Sequence, residues 1–354
     1  MTDSRAIMRN RIGHDPTPPL KRRGLWLAQA ALQYSGMADL FAARRRDHPA
    51  VILMYHSAAP PQHAQWIAPR NWLDPATFES QMQFLARRRR VVSVDELLAM
   101  LDGGQPIPRR TVVLTFDDGY LDNLSVVAPI LERLGLPAVL YLTTSYIDRG
   151  ENQWADQLFA AFTHRTAHQL DLNGASRDLS DPSQRIKAHD QLAAELLEAA
   201  AAGRRAKLES VIQQLRPAPD PPRLTMRWDD VRRLTDQYPR FALGVHTTEH
   251  LDLTSRDPYA ALADIQQSMN IFEQQLGRRP HHFSFPYSRS TADLCMRLPD
   301  LGLKSAMTGE GVVDTDHRSP FDLPRIETHR RTGRWRFQTS GAYPALSQRL
   351  FGRA

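Results

Sequence analysis

A single cysteine, Cys295, occurs among the 354 residues, so no disulfide can form within the chain. The fold must be held by its core rather than by covalent staples, and a lone thiol fits a reducing compartment. Asp293-Leu-Cys-Met-Arg-Leu298 reads as a turn of helix with its sulfur packed inward, which argues against a nucleophilic role. Long apolar runs are missing too. A membrane-crossing helix needs about 20 mostly apolar residues, and no stretch approaches that length. Lys21-Arg-Arg23 followed by Gly24 to Leu32 comes nearest to a secretory leader. Its apolar part is short, broken by Gln29, and preceded by a polar segment containing Pro16, Pro18 and Pro19. It reads instead as an amphipathic helix with basic flanks, so the expected location is the cytoplasm or the periphery of the inner membrane.

Charge of one sign is also scarce, the net balance being only +6. The surplus is local: nine Lys and Arg fall in the first fifty residues, and a second run spans Arg87 to Arg90. Such runs are chiefly solvated surface; the sharper alternative is attraction to an anionic membrane face or an acidic polymer. No DNA- or RNA-binding motif accompanies them, which leaves no nucleic-acid partner.

What is present is a globular composition, 42% hydrophobic and 24% charged, long enough for one large α/β domain. The first ~20 residues lack the apolar content for a core, and a helix is expected over residues 25–43. Ala50 to Tyr55 is a short apolar run typical of a buried strand, and residues 71–88 read as helix. Ser93-Val-Asp-Glu96 has the spacing of a capping box. Thr111 to Phe116, a helix ending at Gly135, and Ala138 to Leu142 form a βαβ unit, which implies parallel pairing. Residues 155–216 read as helical with no strand between, Asp190 to Gln214 being rich in Ala, Leu, Glu and Gln. Pro217-Ala-Pro-Asp-Pro-Pro222 then forbids helix. Phe241 to Val245 is a strand, residues 258–276 a helix stopped by Gly277, and His282 to Phe285 a strand. Repeated β-then-α order predicts an α/β barrel or a doubly wound sheet, with ligands beyond the carboxyl ends of the strands.

The polar residues sit at those strand ends. His56 follows the first strand, Asp117-Asp118-Gly119 the second, and His246 the strand from Phe241. Asp-Gly pairs are favoured in turns, but the glycine also lets the chain bend so that both carboxylates enter one site. His246-Thr-Thr-Glu-His250 places two imidazoles four residues apart, which on a helical turn share a face and can grip one ion. Each motif alone is ordinary. Together they supply the two-histidine, one-carboxylate ligand set that leaves positions open for water and substrate. His281-His282 is expected in a loop and core, and Trp154 and Trp228 in ordinary packing.

Thr115-Phe-Asp-Asp-Gly119 with His246-Thr-Thr-Glu-His250 resembles the signature of the polysaccharide deacetylases, the NodB-homology domain. Leu53-Met-Tyr-His56, Met226-Arg-Trp-Asp229, Leu276-Gly277, Phe283-Ser-Phe-Pro-Tyr287 and Leu323-Pro-Arg-Ile326 follow in the expected order. The resemblance implies a distorted (β/α) barrel over residues 49–335. A helical insertion (155–222), an N-terminal helical extension (1–48) and a C-terminal tail (336–354) would complete the chain. It further implies Zn²⁺, or another divalent transition metal, on Asp118, His246 and His250. Asp117 would be the general base, and the backbone N–H of Tyr287 would help bind the oxyanion. His56 would be the general acid, placed as in a circularly permuted subgroup that processes exopolysaccharides. Ser284 and Ser288 depart from the family pattern. The first stands where many members carry an arginine beside the base, and Arg325 is the candidate substitute. The implied reaction is removal of N-acetyl groups from a GlcNAc-containing polysaccharide or glycan. A small amide or formylated amino sugar as substrate, and a glycan-binding module without activity, are the alternatives.

Overall fold

The structure is a computed structural model and describes residues 20–44, 48–103, 107–314, 317, 319–343 and 345. The segment expected to lack order before the first helix, and most of the C-terminal tail, lie outside the described residues.

Seven parallel strands close into a ring: β1 (Val51–Tyr55), β3 (Thr111–Phe116), β4 (Ala138–Leu142), β7 (Phe241–Val245), β8 (His282–Ser284), β9 (Ser305–Glu310) and β10 (Leu323–Glu327). Closure comes from β1, which pairs with β3 along Val51–Tyr55 and with β10 at Leu53 and Met54. A short strand, β2 (Arg90–Val92), joins the start of β3, whereas β4 joins only its end, at Thr115 and Phe116. The two strands share one edge of β3, which splays the ring and distorts the barrel.

Alternation of side chains along the strands explains how polar residues reach the interior. Leu53, Tyr55, Leu114, Phe116, Leu140 and Leu243 pack outward against the helices. Ile52, Val113, Val139, Tyr141, Met307 and Leu323 fill the barrel. Two residues beyond these inward positions, in the same register, come Met54, Thr115 and Arg325. One further step along β3 is Asp117, and the inward register of β7 reaches His246. The strands β1, β3 and β4 are buried on both faces, as continuous apolar runs require.

Several local expectations match. Ser93 and Glu96 form both bonds of the capping box, at 3.1 and 2.7 Å. Gly135 and Gly277 adopt the left-handed conformation expected of helix stops. Cys295 is buried in the short helix Ala292–Arg297. Trp228 is core, and His282 is buried within β8, its Nδ1 2.9 Å from Ser305 Oγ.

Others are corrected. The N-terminal helix is two, α1 (Leu20–Tyr34) and α2 (Met37–Arg44), broken at Gly36 with φ +75. The helix expected from residue 71 starts at Pro75, where Asp74 accepts from Thr77 N–H at 3.0 Å and proline suits the first turn. We label it α3 (Pro75–Arg88); α4 (Val94–Asp102) and α5 (Ala128–Arg133, after a π-turn at Asn123–Val127) follow, then α6 (Thr144–Arg149). The insertion is not purely helical. Between α7 (Trp154–Thr163) and α8 (Pro182–Glu198) lies a hairpin of β5 (Gln169–Leu172) and β6 (Ala175–Asp178), and α8 is separated from α9 (Ala201–Leu215) at Ala199 and Ala200. These elements share an apolar cluster that includes Trp154, Leu158, Leu172, Leu192, Leu196 and Leu208.

The N-terminal helices pack on the helix Thr332–Gln338 through Leu32, Ala38, Phe41 and Phe337, leaving Leu27, Tyr34, Met37 and Leu40 exposed. No helix among the described residues is long and apolar enough to cross a membrane.

Gly244 shows how tight the barrel is. A Cβ there would lie 2.5 Å from the His282 carbonyl oxygen and 2.7 Å from Tyr141. Gly244→Ala is expected to destabilise the protein by about 1–3 kcal/mol, the usual range for overpacking, read as a lower urea midpoint at unchanged slope.

Candidate active site

Backbone strain concentrates where the strands end. Of the eight described non-glycine residues with positive φ, five are Asp118, Thr247, His250, Tyr287 and Ser288. Such conformations persist only when the surroundings impose them, and they cluster at functional sites. Gly119, at φ +78, completes the turn after β3. The angle favours glycine, and a side chain there would also push on Ile147 Cδ1, 2.7 Å from its Cβ.

The turn carries two buried carboxylates into one cleft, and they are treated differently. Asp117 receives a two-pronged bond from Arg325, Nη1 to Oδ1 at 2.8 Å and Nη2 to Oδ2 at 2.7 Å. Arg325 is itself only 2% exposed and also donates to Thr115 Oγ1 and Ser284 Oγ, at 3.1 and 2.8 Å. Burial alone would raise the Asp117 pKa, but the Arg325 guanidinium, together with His246 and His56, outweighs it and holds the group at about 2. Ser284 is thus an acceptor for an arginine arriving from β10.

Asp118 has no such partner. Burial, and the neighbouring Asp117, push its pKa well above the ordinary carboxylate range. Its Oδ1 accepts no hydrogen bond although it is fully buried. It faces the Nε2 atoms of His250 at 3.3 Å and His246 at 3.7 Å, and the three ligand atoms lie within 4.8 Å of one another.

The segment His246–His250 is not a helical turn, contrary to the sequence expectation. Its left-handed residues Thr247 and His250 fold it back on itself, and the first N–H groups of α6, at Thr144 and Ser145, donate to the Thr247 and Thr248 carbonyls. The imidazoles still converge, their ring centroids 4.8 Å apart.

Hydrogen bonds assign their tautomers. His246 Nδ1 lies 2.7 Å from the Ser284 carbonyl, which can only accept, so Nδ1 carries the proton. The Tyr287 hydroxyl lies 2.9 Å from His250 Nδ1, 3.0 Å from the His250 carbonyl and 3.1 Å from Trp154 Nε1. The arrangement balances when Tyr287 donates to the carbonyl and accepts from both N–H groups. Both histidines then present unprotonated Nε2 atoms to Asp118 Oδ1. Two nitrogens, one anionic oxygen and an unpaired buried charge fit a divalent transition ion, with outer hydrogen bonds of the kind that orient such ligands.

His56 lines the same cleft, together with Arg70, Gln153, Trp154, Leu197 and Tyr287. Its loop is held by two other buried carboxylates. Asp122 accepts from Ser57 Oγ at 2.8 Å and Ala58 N–H at 2.5 Å, and Asp156 accepts from Ala68 N–H at 2.7 Å and Tyr120 OH at 2.6 Å. Burial draws the His56 pKa down to about 4, partly opposed by Asp117.

Trp154, expected in ordinary packing, is 2% exposed within an apolar cluster and also forms part of the cleft wall and bonds Tyr287. Sequence reasoning gave no part to Thr115, whose inward position along β3 was the available signal.

Residues 104–306, more than half of the chain, match the family profile described as polysaccharide deacetylase. The chain belongs to the polysaccharide deacetylase family. A 57-residue segment is 42% identical to the poly-beta-1,6-N-acetyl-D-glucosamine N-deacetylase of Escherichia coli (strain K12), covering 16% of this chain. It covers only 8% of that enzyme's length. The fold resembles that of IcaB from Ammonifex degensii, with TM-score 0.53, 16% identity, and 83% of this chain matched to 97% of that one. It also resembles the Streptococcus pyogenes deacetylase PplD, solved with acetate, with TM-score 0.51, 16% identity, and 80% matched to 93%. At such identity the likeness speaks to the fold. In this deacetylase-family chain, then, the distorted barrel and the family are established together.

Two outcomes are expected. Arg325→Met leaves the Asp117 charge buried and alone, so stability should fall by about 3–5 kcal/mol, and adding Asp117→Asn should recover part of that loss in urea unfolding. Burial lowers the pKa of both His246 and His250, the latter also through its neighbour His246, and raises that of Asp118. The neutral imidazoles are thus favoured as ligands, and a cation must compete with a proton on Asp118. Zn²⁺ binding followed by calorimetry in buffers of different ionisation heat should therefore release protons and weaken as pH falls. Binding with no proton release and no pH dependence would contradict the assignment.

Proposed function

We propose that this family member is a metal-dependent hydrolase that removes N-acetyl groups from a GlcNAc-containing polysaccharide or glycan. The observation that carries the proposal is the convergence of an unpaired buried Asp118 oxygen with two imidazole Nε2 atoms, beside an Asp117 held ionised by arginine. The family and the partial relative in Escherichia coli favour an amino-sugar polymer over other amides.

Asp118, His246 and His250 would hold the ion. Zn²⁺ or a similar divalent cation supplies a water of lowered pKa and polarises the acetyl carbonyl. Asp117 would accept the attacking water's proton; Arg325 keeps it charged and fixes its direction. An aspartate with a pKa near about 2 is a weak base by itself, so its contribution depends on position and on the acidity of its proton donor. The backbone N–H of Tyr287, on the strained turn after β8, would help bind the oxyanion. Tyr287 would also keep its second task, holding His250 through its hydroxyl. His56 would protonate the departing amine. It starts neutral, given its lowered pKa, so the proton that Asp117 takes from the water would pass to His56 before the amine leaves.

The cleft wall formed by Trp154 and Leu197 is apolar and comes from the insertion, a surface suited to the C–H face of a sugar ring.

The test is acetate release from β-linked GlcNAc oligomers with Zn²⁺ present. Asp117→Asn and His56→Ala should each lower kcat by about 10²–10⁴-fold, the range for a general acid or base, with bound metal retained. Oligomer binding without acetate release by the wild type would favour a binding module. Release only from a formylated sugar or small amide would move the substrate class. Loss of metal in His56→Ala would show that His56 is not the acid.

A further inference from the structure

α9 turns Arg204 away from solvent, leaving it 2% exposed. A buried guanidinium must occupy its donors, and those of Arg204 go to main-chain carbonyls. Nε donates to Leu196 O at 2.8 Å and Nη2 to Leu197 O at 3.5 Å, both at the end of α8. Nη1 reaches out of the insertion altogether, to Glu249 O at 2.9 Å and His250 O at 3.1 Å. The guanidinium also lies over the Trp154 ring, 5.1 Å from its centroid.

The two carbonyls reached by Nη1 flank the strained residue of the ligand segment, since His250 has φ +51. The Glu249 side chain is gripped as well. Arg149 binds it through two bonds of 2.8 and 3.1 Å, and Arg205, the next residue of α9, lies 3.3 Å away. Packing the insertion on the barrel does not by itself require a cation aimed at this loop. Tyr146 of α6 and Tyr287 already join the insertion's apolar cluster around Trp154 and Leu208 and supply apolar contact.

We propose that Arg204 is a positioning residue, through which the insertion fixes the Glu249–His250 backbone and so sets the direction of the His250 imidazole and the cation affinity of the site. This rests on the reading of Asp118, His246 and His250 as a metal centre. The insertion thereby does more than wall the cleft. It completes the ligand geometry from outside the barrel.

The test uses the full chain, stripped of metal with a chelator and titrated with Zn²⁺ against a chromophoric competitor. Arg204→Lys keeps the charge but loses the planar fork that spans both carbonyls. Its Zn²⁺ dissociation constant should rise about 10- to 100-fold, the effect of losing an outer partner of a metal ligand, and the Co²⁺-loaded variant should show altered visible bands. Circular dichroism should remain that of the wild type. Should Arg204→Lys not fold, Arg204→Gln, whose shorter amide also lacks the fork across both carbonyls, takes its place and should weaken Zn²⁺ binding at least as much. Wild-type zinc affinity in whichever variant folds would overturn the proposal. So would a raised KM for the oligomer with unchanged zinc affinity, the signature of a mere cleft wall. Absence of zinc binding in the wild type would instead remove the metal centre on which the proposal stands, so the two failures are distinguishable.

Discussion

Two carboxylates on adjacent residues, buried in one cleft, cannot both remain charged without cations to match them. The fold answers this constraint twice, in different ways. Arg325 gives Asp117 a fixed positive partner and holds it ionised. Asp118 is left with an unpaired oxygen facing two imidazoles whose other nitrogens are already occupied. The guanidinium matches the first carboxylate, and in the proposed function a metal ion matches the second. This asymmetry gives neighbouring residues of the same type separate tasks.

The barrel makes the asymmetry possible. Inward register along β3 brings Thr115 and Asp117 to one side of the interior. Arg325, two residues beyond the inward Leu323 and just past a shift in pairing with β9, brings a full-length arginine in among them. Ser284 on β8 accepts one of its donors, where a larger residue would compete for the same space. The same strand's backbone oxygen orients His246. The loop turns beyond the strands add the left-handed residues that a regular element could not accommodate.

Much of this was legible beforehand because strands buried on both faces read as plain apolar runs, and β1, β3, β4 and β7 are of that kind. The polar residues following them marked the cleft. What escaped notice did so for physical reasons. β5 and β6 are four-residue strands with charged and polar residues that look like loop, and β9 is built largely from small residues with little β-branching. The HxxxH spacing pointed to a helix, but tertiary bonds from α6 and Arg204 hold the segment in a tighter turn. Arg204 sits in an Ala-Gly-Arg-Arg-Ala-Lys run that reads as a solvated helix face. Nothing local reveals that one of its two arginines turns inward.

The central claim is that Asp118 binds the cation while Asp117 stays with arginine. Its most direct measurement is a crystal structure of Zn²⁺-soaked protein with anomalous data collected at the zinc edge. The account predicts one strong peak bonded to Asp118 Oδ1, His246 Nε2 and His250 Nε2, with the Arg325–Asp117 fork unbroken. A peak elsewhere, or an Asp117 that has left Arg325 to ligate the ion, would contradict it.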